Sequence, residues 1–331
     1  MRDSTFDVMK GIGIIAMIIG HLQIPQMLGN FIFAWHMPLF FIVSGYFYKP
    51  YPIKEYTKKN LVSLVIPYLI TATLMFLLCL LKYCFHEETN IITPLVGILV
   101  ASGSQGLPML GEYFVGAIWF LLALFWCRTI YNIIYNKITQ SIQGVVIISV
   151  AVLSTYIATK LYVPTNFLQG MSAMVFFHVG TLFRRRDLFH VQLNWFISII
   201  GFLAIIGTLA TSKDDYPLSM VRCYYGYYPI NVLGACFLSF FLYRFISKLP
   251  YSPIYRHIAY IGEIGMLVLC IHNIEANYSL LEIINERCIH WIGLKFRLLS
   301  ILYHLMIPLL LAILLSQSKM ICYIFRINNT K

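Results

Sequence analysis

The chain has 331 residues, of which 60% are hydrophobic and only 11% are charged. A soluble domain has roughly a quarter of its residues charged, so this composition excludes an ordinary soluble protein and indicates one that crosses a lipid bilayer repeatedly. The net charge of +11 would suit nucleic-acid binding, but the positions of the basic residues explain it by membrane topology. The eight cysteines are spaced singly, so neither a disulfide framework nor a metal site is expected.

Apolar runs of about 17 to 25 residues predict membrane-spanning helices. The shorter run at 91–101 is flanked by Pro and Gly, and there we expect a re-entrant or surface segment. No linker or repeat divides the chain, so a single domain over residues 1–331 is expected. We predict an all-α membrane protein of about ten spans, near residues 8–27, 31–48, 61–81, 113–134, 144–160, 167–183, 193–211, 227–246, 258–280 and 298–318.

Lysine and arginine accumulate on the cytoplasmic side of membrane proteins. With the N-terminus in the cytoplasm, ten spans place 17 of the 24 basic residues inside and 7 outside. Counting 91–101 as a span would move the arginine run at 184–186 outside, which this rule disfavours. We therefore predict that both termini are cytoplasmic and that segments 82–112 and 211–228 lie outside, and nucleic acid is not expected as a partner.

The first two apolar segments carry ionisable side chains. Lys10 lies near the start of the first, His21 follows eleven residues later, and His36 opens the second. Such side chains are costly at membrane depth, so they usually face a cavity or a partner and mark function. On one helix, Lys10 and His21 would share a face about 16 Å apart along the axis. The structural alternatives are a cytoplasmic anchor for Lys10, a packing histidine for His21 and an interfacial histidine for His36.

A motif pattern covers the same stretch. It consists of Asp7-x-x-Lys10-Gly11-Ile12, Gly20-His21, His36-Met37-Pro38-Leu39-Phe40-Phe41 and Ser44-Gly45-Tyr46, with weaker matches around Trp119, Arg184 and His272. This pattern resembles the opening of the acyltransferase-3 family, most nearly its fucose 4-O-acetylase-like branch. Those proteins are integral membrane enzymes that move acetyl or other short acyl groups onto extracytoplasmic sugars. Family members commonly have Arg where this chain has Lys10.

The resemblance implies a bacterial inner-membrane O-acetyltransferase, with cytoplasmic acetyl-CoA as donor and a carbohydrate hydroxyl as acceptor. Lys10 would then attract a donor phosphate, and the pantetheine arm would reach towards His21, which serves as general base or acyl acceptor beside His36. Further candidates for the donor's phosphates are Lys58, Lys59, Arg184 and Arg185, and candidates for the acceptor are Trp119, Arg222, Tyr224 and His272. For the basic residues the alternative is cytoplasmic anchoring, and for the tyrosine-rich segment 211–228 it is an interfacial aromatic belt.

Two rival functions use the same residues. In a transporter or flippase of glycan precursors, the buried Lys and His would form a proton or substrate path, and a degenerate family member would only scaffold a glycan-assembly complex. Inverted repeats with paired broken helices would favour the transporter, and the sequence shows no such pattern.

Two further residues carry structural expectations. Pro38 removes a backbone donor, so a local break in the helical hydrogen bonding is expected at Met37-Pro38. Glu263 is expected in the first turn of the ninth span, where a carboxylate stabilises the helix N-terminus.

Overall fold

The computed structural model describes residues 3–22, 24–85, 92–100, 115–192, 194–211, 216–278 and 293–327. Most of the predicted outer segment 82–112, residues 212–215 of the second outer segment, and the last two residues of the ninth predicted span lie outside the described residues. Within the described ranges the chain is almost entirely helical and has no β-strand. A single isolated bridge joins Ser219 and Tyr224.

The described residues form a series of helices. In chain order they are α1 (Ser4–Gly20), α2 (Gln26–Phe33), α3 (His36–Tyr46), α4 (Ile53–Asn60), α5 (Ile66–Phe85), α6 (Ile92–Val100), α7 (Trp119–Lys137), α8 (Gln140–Ala158), α9 (Phe167–Ser172), α10 (Met174–Arg185), α11 (Trp195–Ala210), α12 (Tyr228–Ile246), α13 (Pro253–Glu263), α14 (Gly265–Asn277), α15 (Gly293–Leu315) and α16 (Lys319–Phe325). A π-helical turn, Leu61–Val65, joins α4 to α5, and a short 3₁₀ turn, Gly116–Ile118, precedes α7.

Several of these helices are long and apolar enough to cross a bilayer. Among the described residues there are five: Gln26–Tyr46, Ile53–Leu81, Gly116–Lys137, Gln140–Ala158 and Tyr228–Ile246. Two bent pairs raise the number to seven if each pair is one span: α13 with α14, bent by 72°, and Ile301–Leu315 with α16, bent by 109°. The all-helical, multi-pass membrane character is therefore confirmed, while ten spans and cytoplasmic termini stay predictions.

The first two predicted spans differ from the helices that form. Helix α1 ends at Gly20, seven residues early, and Pro25 disfavours helical backbone just before it, so α2 starts separately. The second span breaks between α2 and α3, at Ala34 and Trp35, and not at Met37-Pro38. Pro38 instead lies in the first turn of α3, where its missing N–H needs no partner.

The ninth predicted span consists of two helices rather than one, and the first of them starts before residue 258. Ser252 accepts a hydrogen bond from the backbone N–H of Tyr255, and Pro253 occupies the first turn, so α13 begins at Pro253. Glu263 is consequently the last residue of α13, immediately before the bend. Its predicted position in a first helical turn is wrong.

Two pairs of glycines hold α1 and α3 in place. Gly11 of α1 lies against the carbonyl of Ile258, and Gly262 of α13 lies against that of Asp7, so a Cβ at either glycine would collide with backbone. The contact between α3 and α10 has the same form, with Gly45 and Gly180 each facing a carbonyl of the other helix. Close backbone approach therefore fixes α1 against α13 and α3 against α10.

Candidate active site

A cavity of about 490 Å³ lies where α1, α3 and α14 meet. Three histidines line it: His21, directly after the C-terminal end of α1, His36, at the start of α3, and His272, within α14. We call it the histidine cavity. The predicted residues His21, His36 and His272 are therefore brought together, although they are far apart in sequence.

His21 and His36 are oriented by the same local contact. The Nδ1 atom of His21 lies 2.8 Å from the carbonyl oxygen of Met17, and that of His36 lies 2.9 Å from the carbonyl oxygen of Ile32. Since a carbonyl can only accept, each neutral ring carries its proton on Nδ1 and keeps a lone pair on Nε2. His36 is buried, whereas His21 is exposed at the cavity. Each imidazole is thus prepared to accept a proton through Nε2.

His272 completes the cluster. Its ring centroid lies 5.4 Å from that of His21, and it is only 2% exposed. Its Nδ1 atom is buried and has no hydrogen-bond partner among the described residues. Buried polar atoms are normally paired, so this nitrogen is an exception to that rule.

Trp119 and Arg222 also line the histidine cavity, as predicted for residues near an acceptor. Tyr224 does not line this cavity, and its side chain is exposed. It lies in a turn that is closed by a 3.0 Å hydrogen bond from its backbone N–H to the carbonyl of Ser219. The same tyrosine-rich segment reaches the cavity wall through Tyr216, whose ring stacks on Phe33 with centroids 3.9 Å apart. Phe33 itself is in ring contact with His21 and His36.

Sequence reasoning missed the contact between Gly116 and Asn273. Gly116 has a positive φ of 67°, and a Cβ there would collide with the amide oxygen of Asn273. The Asn273 amide donates to the carbonyl of Val115 over 2.8 Å. This contact fixes the start of α7, and with it Trp119, against α14. An asparagine within an apolar run was the available signal.

A second cavity, of about 380 Å³, lies at the Lys10 end of α1. Its polar wall contains three cations, Lys10, Arg128 and Arg326, and one carboxylate, Glu263. We call it the basic cavity. The Nζ atom of Lys10 lies 2.6 Å from Oδ1 of the buried Asp7. In the sequence, Arg128 and Arg326 count only among the basic residues on the predicted cytoplasmic side.

The two cavities are adjacent. Met17, Met37 and Leu269 line both of them. These three apolar side chains form a wall that the two cavities share, with the cations of the basic cavity on one side and the imidazole of His21 on the other. Lys10 and His21 lie in different cavities on opposite sides of this wall.

The other basic candidates lie elsewhere. Lys58 and Lys59 are exposed on α4, and Lys59 Nζ lies 5.6 Å from the centre of the Tyr51 ring. Arg184 and Arg185 line a separate cavity of about 520 Å³ together with Lys49. None of the four residues Lys58, Lys59, Arg184 and Arg185 lines the basic cavity or the histidine cavity.

The helical membrane bundle thus contains a histidine-lined cavity next to a cation-lined one. The family model described as an acyltransferase domain, acyltransferase-3, matches residues 3–324. Since this is nearly the whole chain, the protein belongs to the acyltransferase-3 family, as its first fifty residues suggested. The more specific branch stays a prediction. No curated protein and no solved structure matches the chain.

Proposed function

We propose that the protein transfers an acetyl or short acyl group from cytoplasmic acetyl-CoA to a carbohydrate hydroxyl on the far side of a bacterial inner membrane. The observation that carries this proposal is that the two cavities share a wall, which puts cations on one side of it and an oriented imidazole on the other. Family membership supports acyl transfer. The acceptor, a surface glycan or its precursor, would enter the histidine cavity.

The basic cavity suits the phosphates of the donor. Lys10, Arg128 and Arg326 present ammonium and guanidinium groups, and hydrogen bonds from such groups to phosphate are among the strong ones in proteins. With the phosphates there, the pantetheine arm extends along α1 and brings the thioester to His21. This proposal requires the Lys10 end of α1 to lie on the cytoplasmic side, which is also what the distribution of basic residues predicts.

The reaction needs one proton acceptor beside the thioester. In the direct route, Nε2 of His21 takes the proton of the sugar hydroxyl while the hydroxyl oxygen attacks the thioester carbonyl. The C–S bond then breaks, and the CoA thiolate takes the proton from His21. In the alternative route, Nε2 attacks the thioester, the C–S bond breaks and the CoA thiolate leaves. The sugar hydroxyl then attacks the acyl-imidazole, the C–N bond breaks, and the hydroxyl proton goes to the thiolate. His36 and His272 line the same cavity, where they can orient the acceptor; the neutral His36 has no N–H free to stabilise the developing oxyanion, because its Nδ1 proton is donated to the Ile32 carbonyl.

A transporter is the second candidate, because the helices around the site are broken. The break between α2 and α3 and the 72° bend between α13 and α14 resemble the interrupted helices that line transport sites. Comparing surface glycans by mass, from cells with and without the gene, separates the two functions. Loss of acyl groups from otherwise complete glycans supports the enzyme, whereas loss of the glycan itself supports transport.

Binding measurements on the purified protein decide whether the donor binds in the basic cavity or in the separate cavity lined by Arg184 and Arg185. Removing one charged hydrogen-bond donor costs about 1.5–3 kcal/mol, so Arg128→Ala should weaken CoA binding by about 10- to 100-fold by calorimetry. Arg184→Ala, in the cavity with Lys49, is the matched control and should leave the affinity unchanged. The reverse result would move the donor's phosphates to the cavity of Arg184 and Arg185.

A further inference from the structure

The cavity of about 520 Å³ that Lys49, Arg184 and Arg185 line has no part in the proposed function. We call it the arginine cavity. Its other lining residues are Tyr48, Pro50, Tyr135 and Thr181, so three cations and no carboxylate face it. Among the described residues, none of these three cations forms an ion pair. Like charges around one cavity repel one another, and a bound anion relieves that repulsion.

Hydrogen bonds fix the backbone on both sides of Lys49. The hydroxyl of Tyr48 donates to the amide oxygen of Asn132 over 2.8 Å, and the Asn132 amide nitrogen donates to the carbonyl of Tyr51 over 3.0 Å. Asn132 belongs to α7 and is only 1% exposed. The segment that carries Lys49 is therefore held against α7 without any ligand.

The two arginines are oriented by contacts that leave most of their N–H groups unused. Nη1 of Arg184 donates to the carbonyl of Tyr46 over 3.4 Å, and the guanidinium carbon of Arg185 lies 5.2 Å from the centre of the Tyr135 ring. A guanidinium has five N–H donors in a fixed fork, which matches two oxygens of one phosphate. An anion with several oxygens, such as phosphate, suits this set of donors.

The surface next to the arginine cavity is apolar. The amide of Gln143, near the start of α8, donates to the carbonyl of Tyr135 over 3.0 Å, so α8 begins beside the cavity wall. Its neighbours Ile142 and Val145 are 51% and 67% exposed, and α8 is long and apolar enough to cross a bilayer. Acyl chains attached to a phosphate in the cavity can therefore lie against α8.

We propose that the arginine cavity binds the phosphate of an anionic phospholipid from the cytoplasmic leaflet, with the acyl chains along α8. The predicted topology puts Lys49, Arg184 and Arg185 on the cytoplasmic side, where basic pockets between membrane helices bind anionic headgroups. An anionic headgroup is preferred to a zwitterionic one, because the three cations repel the ammonium of phosphatidylethanolamine. The bound lipid contacts α7, α10 and the segment after α3 together.

The test counts lipid molecules bound to the purified full-length protein by native mass spectrometry. The probes are phosphatidylglycerol and phosphatidylethanolamine with identical acyl chains. The wild-type protein should bind phosphatidylglycerol at least about fivefold more tightly. Arg185→Ala should weaken phosphatidylglycerol binding by about tenfold or more, since it removes a charged hydrogen-bond donor. Lys49→Ala, on the opposite side of Tyr48 from α3, should weaken it by about fivefold.

Arg186 provides the matched control. It follows Arg185 directly and is exposed, but it does not line the arginine cavity. Arg186→Ala removes the same charge from the same stretch of surface and should leave phosphatidylglycerol binding unchanged. All three substituted residues are exposed, so the variants should fold, and their melting curves check this.

Three results would overturn the proposal. Equal losses in Arg185→Ala and Arg186→Ala would mean that the basic run attracts lipid only as surface charge. Equal wild-type affinities for the two lipids would mean that the acyl chains bind without a headgroup site. Inorganic phosphate or CoA that binds by calorimetry, and is lost in Arg185→Ala while phosphatidylglycerol binding is kept, would assign the cavity to a soluble phosphate compound.

Discussion

Replacing His21 by Asn isolates the ring nitrogen that faces the cavity. The Asn amide can still donate to the carbonyl of Met17, as Nδ1 does over 2.8 Å, but it offers no basic nitrogen in place of Nε2. Loss of a general base costs about 10²- to 10⁴-fold in rate. Even complete loss of the hydrogen bond would cost only about 0.5–1.5 kcal/mol of stability, so the variant should fold.

His257 supplies the matched control for this substitution. Its Nδ1 lies 2.6 Å from the carbonyl of Pro253, also four residues earlier, and its side chain is exposed outside both cavities. Transfer of labelled acetyl to surface glycans is measured for His21→Asn and His257→Asn, with CoA affinity and melting temperature recorded for each. We expect His257→Asn to be fully active and His21→Asn to bind CoA normally without transfer. Near-normal transfer by His21→Asn would refute its assignment as base or acyl acceptor.

Three further predictions test the donor end, the topology and the packing. Lys10→Arg should keep CoA affinity and Lys10→Ala should lower it, because either cation attracts phosphate; equal affinities in calorimetry would make Lys10 only an anchor. In a cysteine-free background, a cysteine placed at exposed Tyr227 should react with a membrane-impermeant reagent in intact cells, and one at Lys54 only after lysis; the opposite pattern would invert the orientation. Gly45→Ala should lower the melting temperature, since overpacking costs about 1–3 kcal/mol, whereas Gly144→Ala, whose Cβ would meet only an ordinary contact at 3.5 Å, should not.

The residues of the histidine cavity could be predicted from sequence to a large extent. His21, His36 and His272 interrupt apolar runs, and a polar side chain there carries an energetic cost that points to a role. The motif pattern added the expectation that these three histidines act together where the acyl group is transferred. Asn273 gave the same kind of signal but could not be interpreted, since its partner Gly116 is 157 positions away and the contact depends on a left-handed backbone.

The basic residues could not be sorted in the same way. Lysines and arginines serve equally as cytoplasmic anchors and as phosphate ligands. Of the four arginines only Arg184 had a motif match, so the sequence favoured Arg184 and its neighbour Arg185 over Arg128 and Arg326. Only packing decides which of these side chains share a cavity with Lys10. Helix breaks were equally hidden, because hydropathy averaged over a window does not register a 72° bend inside an apolar run.

The ion pair of Lys10 with Asp7 changes what a substitution at Lys10 reports. Asp7 is 3% exposed and its carboxylate lies 2.6 Å from the ammonium, so the charge of Lys10 is already partly compensated. If the proposed donor binds in the basic cavity, removing the lysine would leave the Asp7 carboxylate near its phosphates and add repulsion to the lost attraction. Asp7→Asn in the Lys10→Ala background should therefore recover part of the CoA affinity. If the double variant binds CoA no better than Lys10→Ala, the carboxylate does not face the donor, and the phosphates are held by Arg128 and Arg326 away from this pair.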